Sequence, residues 1–131
     1  MEQTVFQKLR RFNMIMGGFH LVQGILMIII AIFVISSINP AFQITITQNF
    51  LNFDTENQRL FLDSKPLFDL PFGILVGVFL LLSAGAHALI SFPKKINAMY
   101  NSDLQKGVNK LRWFEYALSS SVMIVLIATL F

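Results

Sequence analysis

The segment from Leu70 to Phe92 reads LPFGILVGVFLLLSAGAHALISF and contains no Asp, Glu, Lys or Arg. A helix of about 20 predominantly apolar residues crosses the roughly 30 Å hydrocarbon core of a bilayer, so this segment predicts a transmembrane helix. Two other apolar runs, Phe12–Ile35 and Trp113–Phe131, are long enough by the same criterion. The sequence therefore predicts an all-α membrane protein with three transmembrane helices.

The composition agrees with a membrane protein. Of the 131 residues, 55% are hydrophobic, and the mean hydropathy of +0.66 is too high for an ordinary soluble domain. The first apolar run is too long for a signal-peptide h-region, and no small-x-small cleavage site follows it, so we predict a retained helix. The absence of cysteine excludes disulfides and cysteine-ligated metal sites. We interpret residues 1–131 as one membrane domain.

The distribution of charge predicts the orientation in a cell membrane. Lys8, Arg10 and Arg11 precede the first span, and the second connection, residues 93–112, carries five further Lys or Arg residues. The first connection, residues 36–66, has two basic and three acidic residues. By the positive-inside rule, the N-terminus and the second connection are cytoplasmic and the first connection is extracellular. Orientation accounts for the net charge of +3 without a nucleic-acid partner, for which no motif is present.

The extracellular connection contains two strand signals. Phe42–Thr47 alternates apolar with polar residues and is β-branched, and a short apolar run follows at Leu60–Leu62. The residues between them include four typical of turns: Asn49, Asn52, Asp54 and Asn57. This pattern predicts a β-hairpin, with an ordinary ordered loop as the alternative. The free edge of an isolated hairpin is a natural pairing site for a second subunit.

Each predicted span carries one polar face. A rotation of 100° per residue groups the following residues: Asn13, His20, Gln23, Gly24 and Met27 in the first span; Asp69, Gly73, Ser83, His87 and Ser91 in the second; Arg112, Glu115, Ser119, Val122 and Met123 in the third. At 1.5 Å per residue, His20, His87 and Glu115 lie about 13, 10 and 7 Å from the cytoplasmic flanks. Ionisable residues inside a membrane are costly unless they are partnered, so we predict one shared polar cavity.

More ordinary interpretations of the same residues remain open. Glu115 also fits an interfacial carboxylate paired with Arg112, and the histidines fit neutral imidazoles that are hydrogen-bonded within a bundle. The Ser119 hydroxyl can donate to the carbonyl four residues earlier. The G-x-x-x-G spacing of Gly73 and Gly77 more often marks packing within one bundle than a dimer contact.

Three strings together resemble the heliorhodopsin family. They are Leu9-Arg10-Arg11-Phe12-Asn13 with His20-x-x-Gln23-Gly24, Leu82-Ser83-Ala84-x-Ala86-His87, and Arg112-Trp113-x-Glu115-Tyr116 with Ser119 and Ser121-x-Met123. The resemblance spans all three predicted helices. It implies a seven-helix, retinal-binding, light-sensing membrane protein whose N-terminus is cytoplasmic, which agrees with the orientation inferred from charge.

The resemblance also implies roles for six cofactor-binding residues. Glu115 would be the counterion of the protonated retinal Schiff base, and Ser119 would hydrogen-bond in the same region. His20 and His87 would line the adjoining polar cavity and take up a proton transiently. Gln23 would belong to their hydrogen-bond network, and Met123 would lie along the polyene. The hairpin would contribute to a homodimer.

In this family the retinal is attached through a lysine of the seventh helix, which implies that the attachment site lies outside residues 1–131. We therefore interpret the chain as the first three helices of such a photoreceptor, with an unidentified signalling partner. The main alternative is a three-helix membrane interaction or assembly subunit, and a proton-conducting protein is less favoured. An enzyme is not predicted, because metal-ligand spacing, a Gly-rich phosphate loop and a nucleophile elbow are all missing from the sequence.

Overall fold

A computed structural model describes residues 2–38 and 43–130. Helix α1 spans Glu2–Ile29 and continues through a π-helical segment, Ile30–Ile35, into the short helix α2, Ser36–Ile38. Strands β1, Ile44–Asp54, and β2, Arg59–Leu70, follow. Helices α3, Phe72–Ser91, α4, Lys94–Gln105, and α5, Lys110–Ala128, complete the chain. Phe42 and Phe131, which bound two predicted elements, lie outside the described residues.

Three of the described helices are long and apolar enough to cross a membrane, and they span Thr4–Ile35, Phe72–Ser91 and Lys110–Ala128. The first has 32 residues, so it is about 48 Å long and exceeds the roughly 30 Å hydrocarbon core. Its first turns, which carry Lys8, Arg10 and Arg11, can therefore extend beyond the apolar layer. These elements form a mostly helical, multi-pass membrane protein.

The predicted hairpin is confirmed, and it is longer than the strand signals indicated. β1 and β2 pair antiparallel over their whole length, with one irregularity between Ile46 and Thr47. Thr47 pairs with Pro66, a residue that two-stranded sheets tolerate because each strand has a free edge. Asn49 and Asn52, predicted to separate the strands, instead lie within β1. The Asn49 side-chain oxygen accepts a hydrogen bond from the Ser64 hydroxyl across the pair, at 2.7 Å.

The helical periodicity grouped Asp69 with the second transmembrane helix, and this prediction is wrong. Asp69 lies in β2, where its carboxylate accepts a hydrogen bond of 2.7 Å from the Thr45 hydroxyl. The strand continues through Leu70, and Pro71 then precedes α3. A proline at this position cannot donate to the sheet but suits a helix start, which explains the abrupt change of element.

The hairpin turn is organised by Asp54. Its Oδ1 accepts hydrogen bonds from the backbone N–H groups of Glu56, at 3.0 Å, and Asn57, at 3.2 Å. Its Oδ2 accepts a bond of 2.7 Å from the Asn57 side-chain amide. Gln58 completes the turn in the left-handed region, with φ of 49°. An aspartate that replaces backbone partners in this way is typical of an Asx turn.

We expect Asp54→Ala to loosen this turn at neutral pH. The hydrogen bond from the Asn57 side chain, assisted by the backbone N–H groups, holds the pKa of Asp54 below its ordinary value. Because the pKa of Asp54 is lower in the folded state than in the unfolded state, its carboxylate stabilises the turn above the unfolded-state pKa. This stabilisation is lost as the pH falls through the folded-state pKa, so in the natural chain the turn should lose order below about pH 4. Temperature coefficients of the Glu56 and Asn57 amide protons report this by NMR. Asp63→Ala is the control, and unchanged coefficients in Asp54→Ala would contradict the prediction.

Small residues allow α1 and α3 to approach each other closely. A Cβ atom built on Gly77 would lie 3.1 Å from the Gly24 carbonyl oxygen, and one built on Gly24 would lie 3.2 Å from the Gly77 carbonyl oxygen. Further along the same interface, a Cβ on Gly17 would approach the Cβ of His87 to 2.9 Å. The G-x-x-x-G spacing of Gly73 and Gly77 thus packs within the bundle, as predicted.

The second connection contains an amphipathic helix, α4, that the sequence analysis treated as a loop. Pro93 separates α3 from α4, and side chains satisfy the last carbonyls of α3: the Asn97 amide donates to Ile90 at 3.0 Å and Arg10 Nε donates to Ser91 at 2.8 Å. Gly107, with φ of 72°, ends α4 in a Schellman arrangement. Asn109 then caps α5 by accepting from the Arg112 N–H at 3.2 Å.

Candidate functional site: a polar cavity between the spans

A polar cavity of about 210 Å³ lies where α1, α3 and α5 meet. His20, His87 and Glu115, predicted to share one cavity, all line it. The remaining lining residues come from four helices: Asn13, Ser83, Ala86, Ile90, Tyr100, Arg112 and Tyr116. The convergence of the three ionisable residues therefore follows from the way the helices pack, as the depth argument predicted.

The two histidines form a stacked pair. Their ring centroids are 5.7 Å apart, and the rings are inclined by only 17°. His87 Nδ1 lies 3.1 Å from Asn13 Oδ1. Since an amide oxygen only accepts hydrogen bonds, this contact favours the tautomer with the proton on Nδ1, which leaves Nε2 of His87 as the basic nitrogen.

Glu115 is held by a serine rather than by a cation. The Ser83 hydroxyl donates to Glu115 Oε1 at 3.0 Å, which joins α5 to α3. Arg112, the ion-pair partner in the alternative interpretation, donates from Nε to the Tyr116 hydroxyl at 2.6 Å, and its guanidinium carbon lies 4.9 Å from the centre of that ring. Hydrogen bonding and cation–π attraction thus keep Arg112 on its own helix surface.

Two buried polar atoms at the cavity have no hydrogen-bond partner among the described residues. They are Nδ1 of His20 and Nδ2 of Asn13. A buried polar atom without a partner costs free energy, on the order of 1–3 kcal/mol for a neutral group. Two α1 side chains that line the cavity therefore have unused hydrogen-bonding capacity.

Tyr100 is a lining residue that was not predicted from the sequence. It is buried in α4 and lines the cavity together with residues of the spans. Ile96, Tyr100 and Leu104 recur every four residues, and this helical spacing of apolar residues could have identified α4 and its inward face. Tyr116 also lines the cavity, although no role was assigned to it from the sequence.

The other three predicted cofactor-binding residues do not line the cavity. Ser119 is buried, with 5% of its surface exposed, whereas Met123 is 42% exposed. Gln23 is half-buried on α1. The back-bonding considered for Ser119 occurs instead at its neighbours: the Ser120 hydroxyl donates to the Tyr116 carbonyl, and the Ser121 hydroxyl donates to the Ala117 carbonyl at 2.6 Å. The cofactor-binding roles of all six predicted residues stay predictions.

The cavity combines a carboxylate that has only one described hydrogen-bond donor with two adjacent imidazoles. A carboxylate in an apolar bundle can balance a buried cation, and an imidazole can take up a proton near neutral pH. In residues 2–38 and 43–130, no group of three His, Asp or Glu side chains is arranged to hold a metal ion. The fold and the cavity thus define a multi-pass helical membrane protein with a polar cavity between its spans.

The family model for heliorhodopsin matches residues 9–131. The chain therefore belongs to the heliorhodopsin family, which comprises rhodopsin-like light-sensing membrane proteins that bind retinal. No match was found among the curated proteins. The resemblance inferred from the three sequence strings is confirmed.

Proposed function

We propose that residues 1–131 form the first three helices of a seven-helix photoreceptor, with the N-terminus in the cytoplasm and the retinal attached through a lysine outside this segment. Bound as a protonated Schiff base, retinal supplies visible absorption and a photoisomerisation that shifts positive charge. One observation carries the proposal: Glu115 lies at the cavity with Ser83 as its only described hydrogen-bond donor.

The residues of the cavity fit such a cation. A carboxylate can accept about four hydrogen bonds, so the single bond from Ser83 leaves most of the accepting capacity of Glu115 free. Among the described residues, no ion pair satisfies Glu115, and a negative charge inside a bundle requires a positive partner. We therefore assign the counterion role to Glu115 and a positioning role to Ser83.

The histidines give the cavity an internal proton acceptor. A proton released near Glu115 can be taken up at Nε2 of His87 or at the unpartnered Nδ1 of His20. Because the rings are stacked at 5.7 Å, a second positive charge on the pair would be opposed by the first. The pair is thus suited to hold a single proton until it returns, which corresponds to sensing rather than proton export.

The test is a visible absorption spectrum of the complete natural protein, produced in cells supplied with all-trans-retinal. We expect a visible band that hydroxylamine bleaches, and illuminated vesicles containing the protein should show no sustained change of external pH. The absence of a bleachable band would contradict the photoreceptor assignment. A band accompanied by sustained acidification or alkalinisation would contradict only the internal retention of the proton.

The hairpin is our candidate for the homodimer contact. Leu51 pairs with Leu62, and Phe53 with Leu60, so these four side chains lie on one face, where each is more than half exposed. An apolar sheet face of this kind is stabilised when it is covered.

We expect Leu51→Asp to shift the complete protein from dimer to monomer in light-scattering measurements on detergent-solubilised material. A charge introduced on the shared apolar face would have to be desolvated in the dimer. Asn52→Asp, which adds the same charge on the opposite face of β1, is the matched control. Equal dimer populations in Leu51→Asp and the natural protein would contradict the assignment.

A further inference from the structure

A second, apolar groove of about 310 Å³ runs between α1 and α3; it shares Asn13 with the polar cavity and has no residue of α5 in its lining. The small residues Gly17, Gly18, Gly85 and Ala88 form its floor. Large apolar side chains, including those of Leu21 and Phe92, form its walls. A Cβ atom built on Gly18 or Gly85 would meet no other atom within 4 Å. The groove is therefore open space along the helix pair rather than part of the helix contact.

One end of the groove is strongly cationic. Phe92 lines that end, and Arg10 lies beside it, because Arg10 Nε donates to the carbonyl of the adjacent Ser91 at 2.8 Å. Arg11 is exposed one turn before the lining residue Met14, and Lys94 and Lys95 follow Phe92 almost at once. Along the chain, the acidic residue nearest to Arg10 and Arg11 is Glu2, and the one nearest to Lys94 and Lys95 is Asp103.

The groove also contains an unused hydrogen-bond donor near the cationic end. Asn13 lines the groove and is only 5% exposed. Its Oδ1 contacts His87, but its buried Nδ2 has no partner among the described residues. Rotation of this amide toward the groove would let it donate to an ester carbonyl just below a phosphate group.

We propose that this groove binds one anionic phospholipid, with its phosphate at Arg10 and Arg11, an ester carbonyl near Asn13 and an acyl chain over Gly18 and Gly85. The distance from Arg11 to Leu21 along α1 is about 15 Å, which corresponds to one leaflet of a roughly 30 Å hydrocarbon core. Juxtamembrane cations attract anionic headgroups by about 1 kcal/mol each. The basic residues would therefore favour anionic over zwitterionic lipids, and the groove would determine where the acyl chain lies. The proposal is independent of the light-sensing function.

Native mass spectrometry of the complete protein, in micelles containing equal amounts of phosphatidylglycerol and phosphatidylcholine, tests the site. We expect preferential retention of phosphatidylglycerol, a roughly fivefold loss of that preference in Arg11→Gln, and no loss in Arg59→Gln, which removes the same charge from the hairpin. Gly18→Leu should displace the lipid by filling the groove, whereas Gly18→Ala should retain most of it.

Equal retention of the two lipids by the natural protein would overturn the proposal, as would unchanged preference in Arg11→Gln. If Gly18→Leu lost a dimer while lipid occupancy stayed the same, the groove would belong to a second copy of the chain, and the lipid assignment would be wrong. Arg11 is exposed and outside the helix contact, so its variant remains informative even if Gly18→Leu does not fold.

Discussion

Glu115→Gln in the retinal-bound protein is expected to move the visible absorption maximum and to lower by about 1–3 pH units the pH at which the visible band is lost. The carboxylate favours the charged form of a nearby cation, and the amide has nearly the same shape without the charge. The Ser83 hydroxyl can still donate to the amide oxygen, so the contact between α5 and α3 is preserved. Spectrophotometric pH titration measures both quantities.

Ser83→Ala provides the comparison for this variant, because it removes the hydrogen bond to Glu115 but keeps the charge. Its absorption maximum should move less than that of Glu115→Gln. Far-UV circular dichroism separates loss of pigment from loss of folding. A Glu115→Gln protein with the natural maximum and the natural titration would show that Glu115 is not the counterion.

Gly77→Ala is expected to destabilise the helix bundle by about 1–3 kcal/mol through overpacking. The added methyl group would lie 2.5 Å from Cγ1 of Ile28 and 3.1 Å from the Gly24 carbonyl oxygen, and the second neighbour is backbone that cannot rotate away. The two helices would have to separate at this close contact. Reversible unfolding by sodium dodecyl sulfate in mixed lipid–detergent micelles, followed by circular dichroism, measures the change.

Gly85→Ala is the matched control, since it makes the same substitution in the same helix where no atom lies within 4 Å. We expect it to be neutral or to stabilise the protein by up to about 1 kcal/mol, because alanine restricts the unfolded backbone more than glycine does. If the two variants had equal stability, the close approach of α1 and α3 at Gly77 would be wrong.

The elements of the fold were largely predictable, because each depends on a local pattern. An uncharged run such as Leu70–Phe92 can satisfy its backbone in a bilayer only as a helix, and alternation across residues 44–47 is typical of a strand. The boundaries were less predictable. Asp69 matched the helical period of the second span, yet Thr45 holds it in β2, since a cross-strand partner was available and Pro71 delayed the helix.

The ionisable residues of the candidate site were predictable from the sequence, but the hydrogen bonds between them and their neighbours were not. Residue spacing put His20, His87 and Glu115 at similar depths on polar faces, and the structure brings all three to one cavity. Pairing of Glu115 with Arg112, three residues away on the same helix, was the more ordinary alternative to a counterion role. The structure selects Ser83, on another helix, because Arg112 is engaged by Tyr116.

The sequence by itself determined that this is a membrane protein of three apolar spans with a hairpin between the first two, because hydrophobic length and residue periodicity are properties of each segment alone. The tertiary structure decided how those segments face one another: Gly24 against Gly77, His20 stacked on His87, and Tyr100 beneath the spans. Periodicity places a side chain around the axis of its own helix. The crossing of two helices depends on the shapes of both surfaces at once, and it also determines which polar group is within reach of another.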